Sequence, residues 1–248
     1  HKKLILLNNI PNKIRIFLNN MEKIKNDPFQ YFPNYFNKSG SVEKMPSKYN
    51  TESNQKQDKL PSDYPFEYFP KYFNTNGLKE KILNTIQLNS DIIEIGRGNK
   101  KVKIQERRKT AWLSNNEKLT FEYSGKVMKP VKIPDYFNGL IEKIKEDFGL
   151  KFDGILINYY PDGSSNMGYH SDPIDKKWSN DFIVFSIGAH REFIFRENEN
   201  RDNKIKFDFN DGDIIYMYDD CQDKYEHCVK KSKEINKDRI SIVFKKSI

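Results

Sequence analysis

An α+β architecture, with helices ahead of and outside an antiparallel jelly-roll or barrel, follows from three features of the sequence. An amphipathic helical pattern precedes residue 150, a series of short apolar runs follows it, and turn-forming residues separate those runs. Residues 135–148 place Phe137, Leu140, Ile141, Ile144 and Phe148 on one helical face, with Pro134 and Asp135 at its start. The pattern predicts a core-covering helix. Beyond it, residues 155–160, 182–187, 192–196, 205–209, 214–218 and 239–244 read as strands. Pro161-Asp162-Gly163, Asn198-Glu199-Asn200 and Asn210-Asp211-Gly212 punctuate them. Upstream, Leu78-Lys79-Glu80-Lys81-Ile82-Leu83 is a second helical pattern.

The 248 residues suffice for one enzyme domain with an extension and are too few for two complete domains. Residues 1–64 are expected to form the extension and residues 65–248 the folded domain. The segment PFQYFPNYFN at 28–37 is nearly copied as PFEYFPKYFN at 65–74. Two copies are too few for a solenoid and read as a local duplication. Between them, residues 38–64 are rich in Ser, Lys, Gln, Asn, Asp and Pro, which bury too little apolar surface to offset ordering entropy, so a flexible linker is expected.

Lys and Arg number 43 against 35 Asp and Glu, a net charge of +8. That balance suits partners with phosphate backbones or other acidic surfaces, and a compositional bias toward Lys, Asn and Ile accounts for it equally well. Cys221 and Cys228 are the two cysteines, which excludes a disulfide scaffold and points to a reducing compartment. Residues 4–7 are too short an apolar run for a signal-peptide core or a membrane span. A soluble, intracellular, monomeric protein is expected, nuclear in a eukaryote and cytoplasmic otherwise. The chain opens on His1 rather than Met, which suggests that residues have been trimmed before it.

Four histidines, at 1, 170, 190 and 227, make up the whole pool for an imidazole-based metal site. His170 and Asp172 form a His-x-Asp pair in an extended segment, where residues two apart point the same way. His227 supplies a second imidazole from a distant strand, and two imidazoles with one carboxylate make the facial triad of non-haem iron(II) oxygenases. The pair alone is a common chance occurrence. Arg239 follows His227 by twelve residues, and alternation puts Arg239, Ser241, Val243 and Lys245 on one face and Ile240, Ile242 and Phe244 on the other. An arginine inside a barrel needs an anion, and a dicarboxylate accepts its bidentate fork. A solvated edge strand would account for the same charges.

The ordered set of segments resembles the AlkB-type dioxygenases. It comprises Asn158-Tyr159-Tyr160-Pro161-Asp162-Gly163, Met167-Gly168-Tyr169-His170-Ser171-Asp172, Ser186-Ile187-Gly188-Ala189-His190-Arg191-Glu192-Phe193, Gly212-Asp213-Ile214-Ile215-Tyr216-Met217, then His227 and Arg239. Upstream, Arg108-Lys109-Thr110-Ala111-Trp112 and Phe121-Glu122-Tyr123-Ser124-Gly125 are similar to the family's nucleotide-recognition region, and Phe69-Pro70-Lys71-Tyr72-Phe73 to its domain opening. The resemblance implies a double-stranded β-helix (jelly-roll) core with flanking N-terminal helices and a nucleotide-recognition lid. It implies Fe(II) held by His170, Asp172 and His227, 2-oxoglutarate as cosubstrate, and O2. Arg239 would pair with the distal carboxylate, with Asn158, Tyr160, Ser241 and Lys245 also at the cosubstrate.

The activity so implied is oxidative demethylation of nucleic-acid bases, of the 1-methyladenine and 3-methylcytosine type, in DNA repair. The same chemistry on RNA, protein or lipid, and a noncatalytic nucleic-acid-binding jelly roll, are the alternatives. Lys245 stands where the family often has a second arginine, and Ser241 where it often has asparagine. Pro173 and Ile174 stand where it commonly has acidic residues, which leaves Asp175 as the nearest acidic candidate for the base. Trp112, Phe121 and Tyr123 read either as base-stacking rings or as core aromatics. Lys100, Lys101, Lys103, Arg107, Arg108 and Lys109 read either as phosphate contacts or as a solvated charged loop. His190 is expected at the surface or in packing, and Cys228 as a small core residue.

Overall fold

A computed structural model describes residues 64–96, 101–172 and 177–248. The expected linker up to residue 63 and the first copy of the duplicated segment lie outside the described residues. The second copy opens the fold as β1 (Phe66–Phe69), followed by α1 (Leu78–Thr85), β2 (Ile92–Ile95), β3 (Val102–Gln105), β4 (Lys109–Leu113), β5 (Phe121–Tyr123) and β6 (Lys126–Met128). Then come α2 (Asn138–Phe148), β7 (Gly154–Tyr160), β8 (Met167–His170), β9 (Trp178–Gly188), β10 (Arg191–Glu197) and β11 (Lys204–Phe209). The chain ends with β12 (Ile214–Met217), α3 (Cys221–Lys224), β13 (Tyr225–Val229) and β14 (Arg239–Ser247).

Two antiparallel sheets dominate, a large one in the order β1-β12-β9-β14-β7-β4 and a small one in the order β11-β10-β13-β8. From β7 onward every connection but the β10–β11 hairpin crosses from one sheet to the other, which is the path of a jelly-roll. Two further hairpins, β2–β3 and β5–β6, stand apart from these sheets. A backbone bond from Glu94 N–H to the Ser124 carbonyl, 2.9 Å, joins the hairpins.

Alternation along the strands decides which side chains enter the core. Leu156 and Tyr160 of β7, Phe182 and Val184 of β9 and Val243 of β14 join Phe193, Phe195, Phe207 and Phe209 of the small sheet in one buried cluster. Phe66 of β1 lies flat on Phe195 with ring centroids 3.8 Å apart. β14 sits between β9 and β7, and Ile240, Ile242 and Phe244 on its other face are also fully buried. A strand buried on both faces cannot be the solvated edge that its Arg and Lys would also have suited.

Asp213, itself buried, anchors β1 to the turn before β12 by accepting from Tyr68 Oη at 2.5 Å, Lys71 N–H at 2.8 Å and Asn210 N–H at 2.7 Å. This explains an acid in the Gly212-Asp213 turn. The α1 helix appears where the Leu78 to Leu83 pattern placed it. The downstream pattern begins as a 3-10 turn, Asp135–Phe137, before α2. Within α2 the buried side chains are Leu140 and Ile144.

Gly154 opens β7 where only hydrogen fits. A Cβ there would lie 2.1 Å from Cη2 of Trp112, a rigid ring with no room to withdraw. Gly154→Ala is expected to destabilise the protein by about 1–3 kcal/mol through overpacking, read as a lower midpoint in urea unfolding; an unchanged midpoint would contradict this packing.

Candidate metal centre and cosubstrate pocket

β8 and β13 are neighbours in the small sheet, and their register sets His170 directly opposite His227. The ring centroids are 4.4 Å apart. Asp172 lies just past β8, where Ser171 Oγ donates to the Tyr225 carbonyl (3.1 Å) and Asp172 N–H donates to Gln222 Oε1 (2.7 Å). These bonds turn the carboxylate back toward the imidazoles. One ligand atom from each of His170, Asp172 and His227 lies within 4.8 Å of the others, and His227 Nε2 is 3.6 Å from Asp172 Oδ2. Phe193 supports the His227 ring from its flat side at 5.3 Å and 13°.

Burial, reinforced by neighbouring His170, pushes the His227 imidazole down to about 3, and burial lowers that of His170 as well. Both rings are therefore neutral at pH 7, the form that ligates a metal. Burial alone would raise the Asp172 carboxyl. The ammonium of Lys245 and then the two imidazoles outweigh it and hold the group well below the usual carboxylate range. Two neutral imidazoles and a carboxylate are the donor set of a non-haem Fe(II) site, and these residues fit that ion.

Lys245 meets a partner that the sequence did not name. Its side chain is fully buried on β14, with Nζ 2.9 Å from Asp172 Oδ1 and 3.9 Å from the centroid of Phe182. The ammonium pairs with the carboxylate of the candidate metal centre, and the cosubstrate contact expected of it remains a proposal. The other end of the same strand face carries Arg239, also fully buried. Arg239 Nε donates to Ser186 Oγ at 2.9 Å, while Nη1 and Nη2 are buried without a hydrogen-bond partner. Burial lowers its pKa to about 10, so it stays charged at neutral pH.

A buried guanidinium with its two terminal nitrogens unpaired fits a carboxylate, which would accept both bonds and offset the desolvation. Cross-strand pairing places Tyr160 opposite Arg239 and both Asn158 and Ser186 opposite Ser241. Asn158, Tyr160 and Ser241 are buried, and Asn158 Oδ1 also lacks a partner. These side chains line one face with Arg239, as alternation implied. The sequence did not single out Ser186 or Gln222 for a role. Ser186 could have been found from its place two residues before the Gly188 turn on a strand pairing β14; Gln222 leaves no sequence signal.

The expected recognition residues divide. Trp112 and Phe121 are buried, stacked at 4.9 Å, with Trp112 Nε1 donating to the Leu119 carbonyl at 2.6 Å and Trp178 edge-on at 5.4 Å. Both are core rings, which corrects the reading of them as surfaces for a base. Arg108 is likewise buried, with Nη1 2.7 Å from Met167 Sδ and Nη2 3.5 Å from Glu106 Oε1, so it is not an exposed phosphate contact. Tyr123 is half-buried, and its hydroxyl donates to Glu106 at 2.6 Å. Lys101, Lys103, Arg107 and Lys109 are exposed, Lys101 lying 3.9 Å from Glu94. Lys100, Pro173, Ile174 and Asp175 lie outside the described residues. His190 is exposed and Cys228 is buried.

A family model described as the 2OG-Fe(II) oxygenase superfamily matches residues 65–245. The chain belongs to this superfamily. It is an AlkB-like Fe(II)- and 2-oxoglutarate-dependent dioxygenase, with Fe(II) as cofactor and 2-oxoglutarate and O2 as cosubstrates. Uncharacterized protein R406 of Acanthamoeba polyphaga mimivirus is 42% identical over 144 residues, 58% of this chain and 74% of that protein. Mouse DNA oxidative demethylase ALKBH2 is 24% identical over 136 residues, 52% of this chain and 57% of the relative. Rat alpha-ketoglutarate-dependent dioxygenase alkB homolog 3 is 28% identical over 149 residues, 56% and 49% of the two chains. The chain thus spans about half the length of the ALKBH2 and alkB homolog 3 relatives. The solved structure of OsALKBH1 shares the fold with a TM-score of 0.55 at 14% identity, over 74% of this chain and 98% of that one.

The Lys245–Asp172 pair generates a prediction that needs no metal. Lys245→Met leaves a buried carboxylate unpaired and is expected to cost about 3–5 kcal/mol in the metal-free protein at pH 7. Adding Asp172→Asn should recover a large part of that loss, because the stranded charge is gone. Urea midpoints of the two single variants and the double variant measure the coupling. Strictly additive losses would contradict a direct pair.

Proposed function

We propose that this dioxygenase removes alkyl groups from the ring nitrogens of nucleic-acid bases. His170, Asp172 and His227 hold the iron, while Arg239, with Asn158, Tyr160 and Ser241, holds 2-oxoglutarate. The observation that carries the cosubstrate assignment is the buried Arg239 guanidinium with Nη1 and Nη2 unpaired, on the same strand face as the lysine that binds Asp172. Bound iron, with its cosubstrates, supplies the oxidation of an alkyl C–H bond.

The chain's own residues position and shield. Arg239 orients the dicarboxylate by its far end, with Ser186 fixing the guanidinium through Nε. Lys245 keeps Asp172 ionised and directed at the imidazoles. Phe193 and Phe195, packed at 5.3 Å and 5.9 Å from His227, exclude water from that side. Hydroxylation of an N-methyl carbon gives a hydroxymethyl group, which leaves as formaldehyde.

Similarity to the DNA oxidative demethylase ALKBH2 of mouse and human supports a nucleic-acid substrate, as do the exposed Lys101, Lys103, Arg107 and Lys109 around β3 and the start of β4. We assign β2–β3 and β5–β6 as the nucleotide-recognition lid, α1 as a flanking helix, and the half-buried Tyr123 as the lid residue nearest a base. A base held in a duplex stack cannot bring its alkyl group to a centre set between two sheets, so single strands or flipped nucleotides are the expected form. On this reading the lesions are 1-methyladenine and 3-methylcytosine and the role is DNA repair. Among the described residues no helix is long and apolar enough to cross a membrane.

The test is 2-oxoglutarate turnover with formaldehyde release on single- and double-stranded DNA carrying 1-methyladenine or 3-methylcytosine, beside methylated RNA and a methylated peptide. Formaldehyde from methylated DNA, abolished by His170→Ala, is the expected result. Formaldehyde from the peptide with none from either nucleic acid would overturn it.

A further inference from the structure

Two loops carry the chain between the sheets beside the site, residues 161–166 from β7 to β8 and residues 230–238 from β13 to β14. Each joins a strand with cosubstrate groups to a strand with an iron imidazole: Asn158 and Tyr160 to His170 in one case, His227 to Arg239 in the other. The loops are locked together. Gly163 N–H donates to the Ile235 carbonyl at 2.8 Å, and Ser232 N–H donates to the Gly163 carbonyl at 2.9 Å. The approach is so close that a Cβ on Gly163 would lie 2.0 Å from the Ser232 carbonyl oxygen.

Arg191, at the start of β10 and 1% exposed, closes the lock. Its guanidinium donates to the backbone carbonyls of Asp162 (3.3 Å) and Ser165 (2.8 Å) in the first loop and to that of Lys230 in the second. It also stands 5.7 Å from the centroid of Tyr160, the ring from which Arg239 is 5.4 Å away. Burying a guanidinium is costly, and one that spends its hydrogen bonds on carbonyls of two separate loops is holding backbone in place.

We propose that Arg191 is a positioning residue that pins the two inter-sheet loops to each other and thereby sets both the separation of the His170 and His227 imidazoles and the placement of the cosubstrate groups. The proposal rests on the iron and 2-oxoglutarate assignments above. Because each loop ends on both kinds of strand, loosening the lock disturbs the two sites together. None of these hydrogen bonds reaches the metal ligands or the terminal nitrogens of Arg239, so the lock itself acts through backbone.

The experiment measures binding rather than turnover. Mn2+ affinity is read by electron paramagnetic resonance of unbound ion, and 2-oxoglutarate affinity by calorimetry at saturating Mn2+, in wild type, Arg191→Met, Arg191→Lys and Arg196→Met. Arg196 lies on the same strand but pairs with Glu226 and stacks 3.8 Å over Tyr169, so its loss weakens the sheet without touching the lock. Arg191→Met is expected to weaken both affinities about 10-fold, the scale of losing support behind a metal ligand. Arg191→Lys, whose ammonium keeps three donors, shows a smaller loss in the same two affinities; it carries the test if the Met variant does not fold. Arg196→Met keeps both affinities at a comparable loss of melting temperature. Wild-type affinities in both Arg191 variants, or an equal loss in Arg196→Met, would overturn the proposal alone. If wild type itself bound neither Mn2+ nor 2-oxoglutarate, the underlying assignment of the site would fall as well.

Discussion

Two cations are buried on one face of a central strand, and each needs a negative partner, because the desolvation of an ion in a protein interior costs several kcal/mol. Lys245 finds its partner in Asp172, 2.9 Å away. Arg239 is held by Ser186 through one nitrogen and has no partner at the other two. β14 thus carries an internally satisfied end at the candidate metal centre and an unsatisfied end that fits an anionic ligand. The rest of the site is arranged around that difference.

The small sheet contributes the imidazoles by register. His170 and His227 face each other because β8 and β13 pair antiparallel at those residues, and Phe193 and Phe195 on β10 fix the His227 ring from the far side. Burial keeps both rings neutral while the Lys245 ammonium keeps the carboxylate charged. Opposite protonation demands are met within a single cluster because the cation sits on the acid and the aromatic wall sits on the base. The large sheet carries Asn158, Tyr160, Ser241 and Arg239, the groups proposed to hold the cosubstrate, and two loops that cross between the sheets join these strands to those of the imidazoles.

Much of this could be read from residue order. β7 was legible as a short apolar run and β14 by its alternation, which put Arg239, Ser241, Val243 and Lys245 on one face. β13 was not among the readable strands, because Tyr225-Glu226-His227-Cys228-Val229 mixes polar and apolar residues without a long run. Its pairing on both sides holds it extended. Residue type alone did not separate surface from core for Trp112, Phe121 and Arg108, since an aromatic or an arginine suits a ligand surface and a packed interior equally. Only the close approach of Gly154 to Trp112 and the sulfur and carboxylate around Arg108 decide the matter. The pairing of Lys245 with Asp172 was not legible for a related reason, since its position on the strand gives a direction and not the neighbour it meets.

The central claim is that the unpaired Arg239 guanidinium is completed by the far carboxylate of 2-oxoglutarate beside an iron centre. Anaerobic calorimetry of 2-oxoglutarate into Fe(II)-loaded protein, wild type against Arg239→Met, tests it most directly. One binding site in wild type and a loss of affinity of about 30-fold or more in the variant, with Fe(II) still bound, is the expected result. Equal affinity in the two proteins would contradict the account.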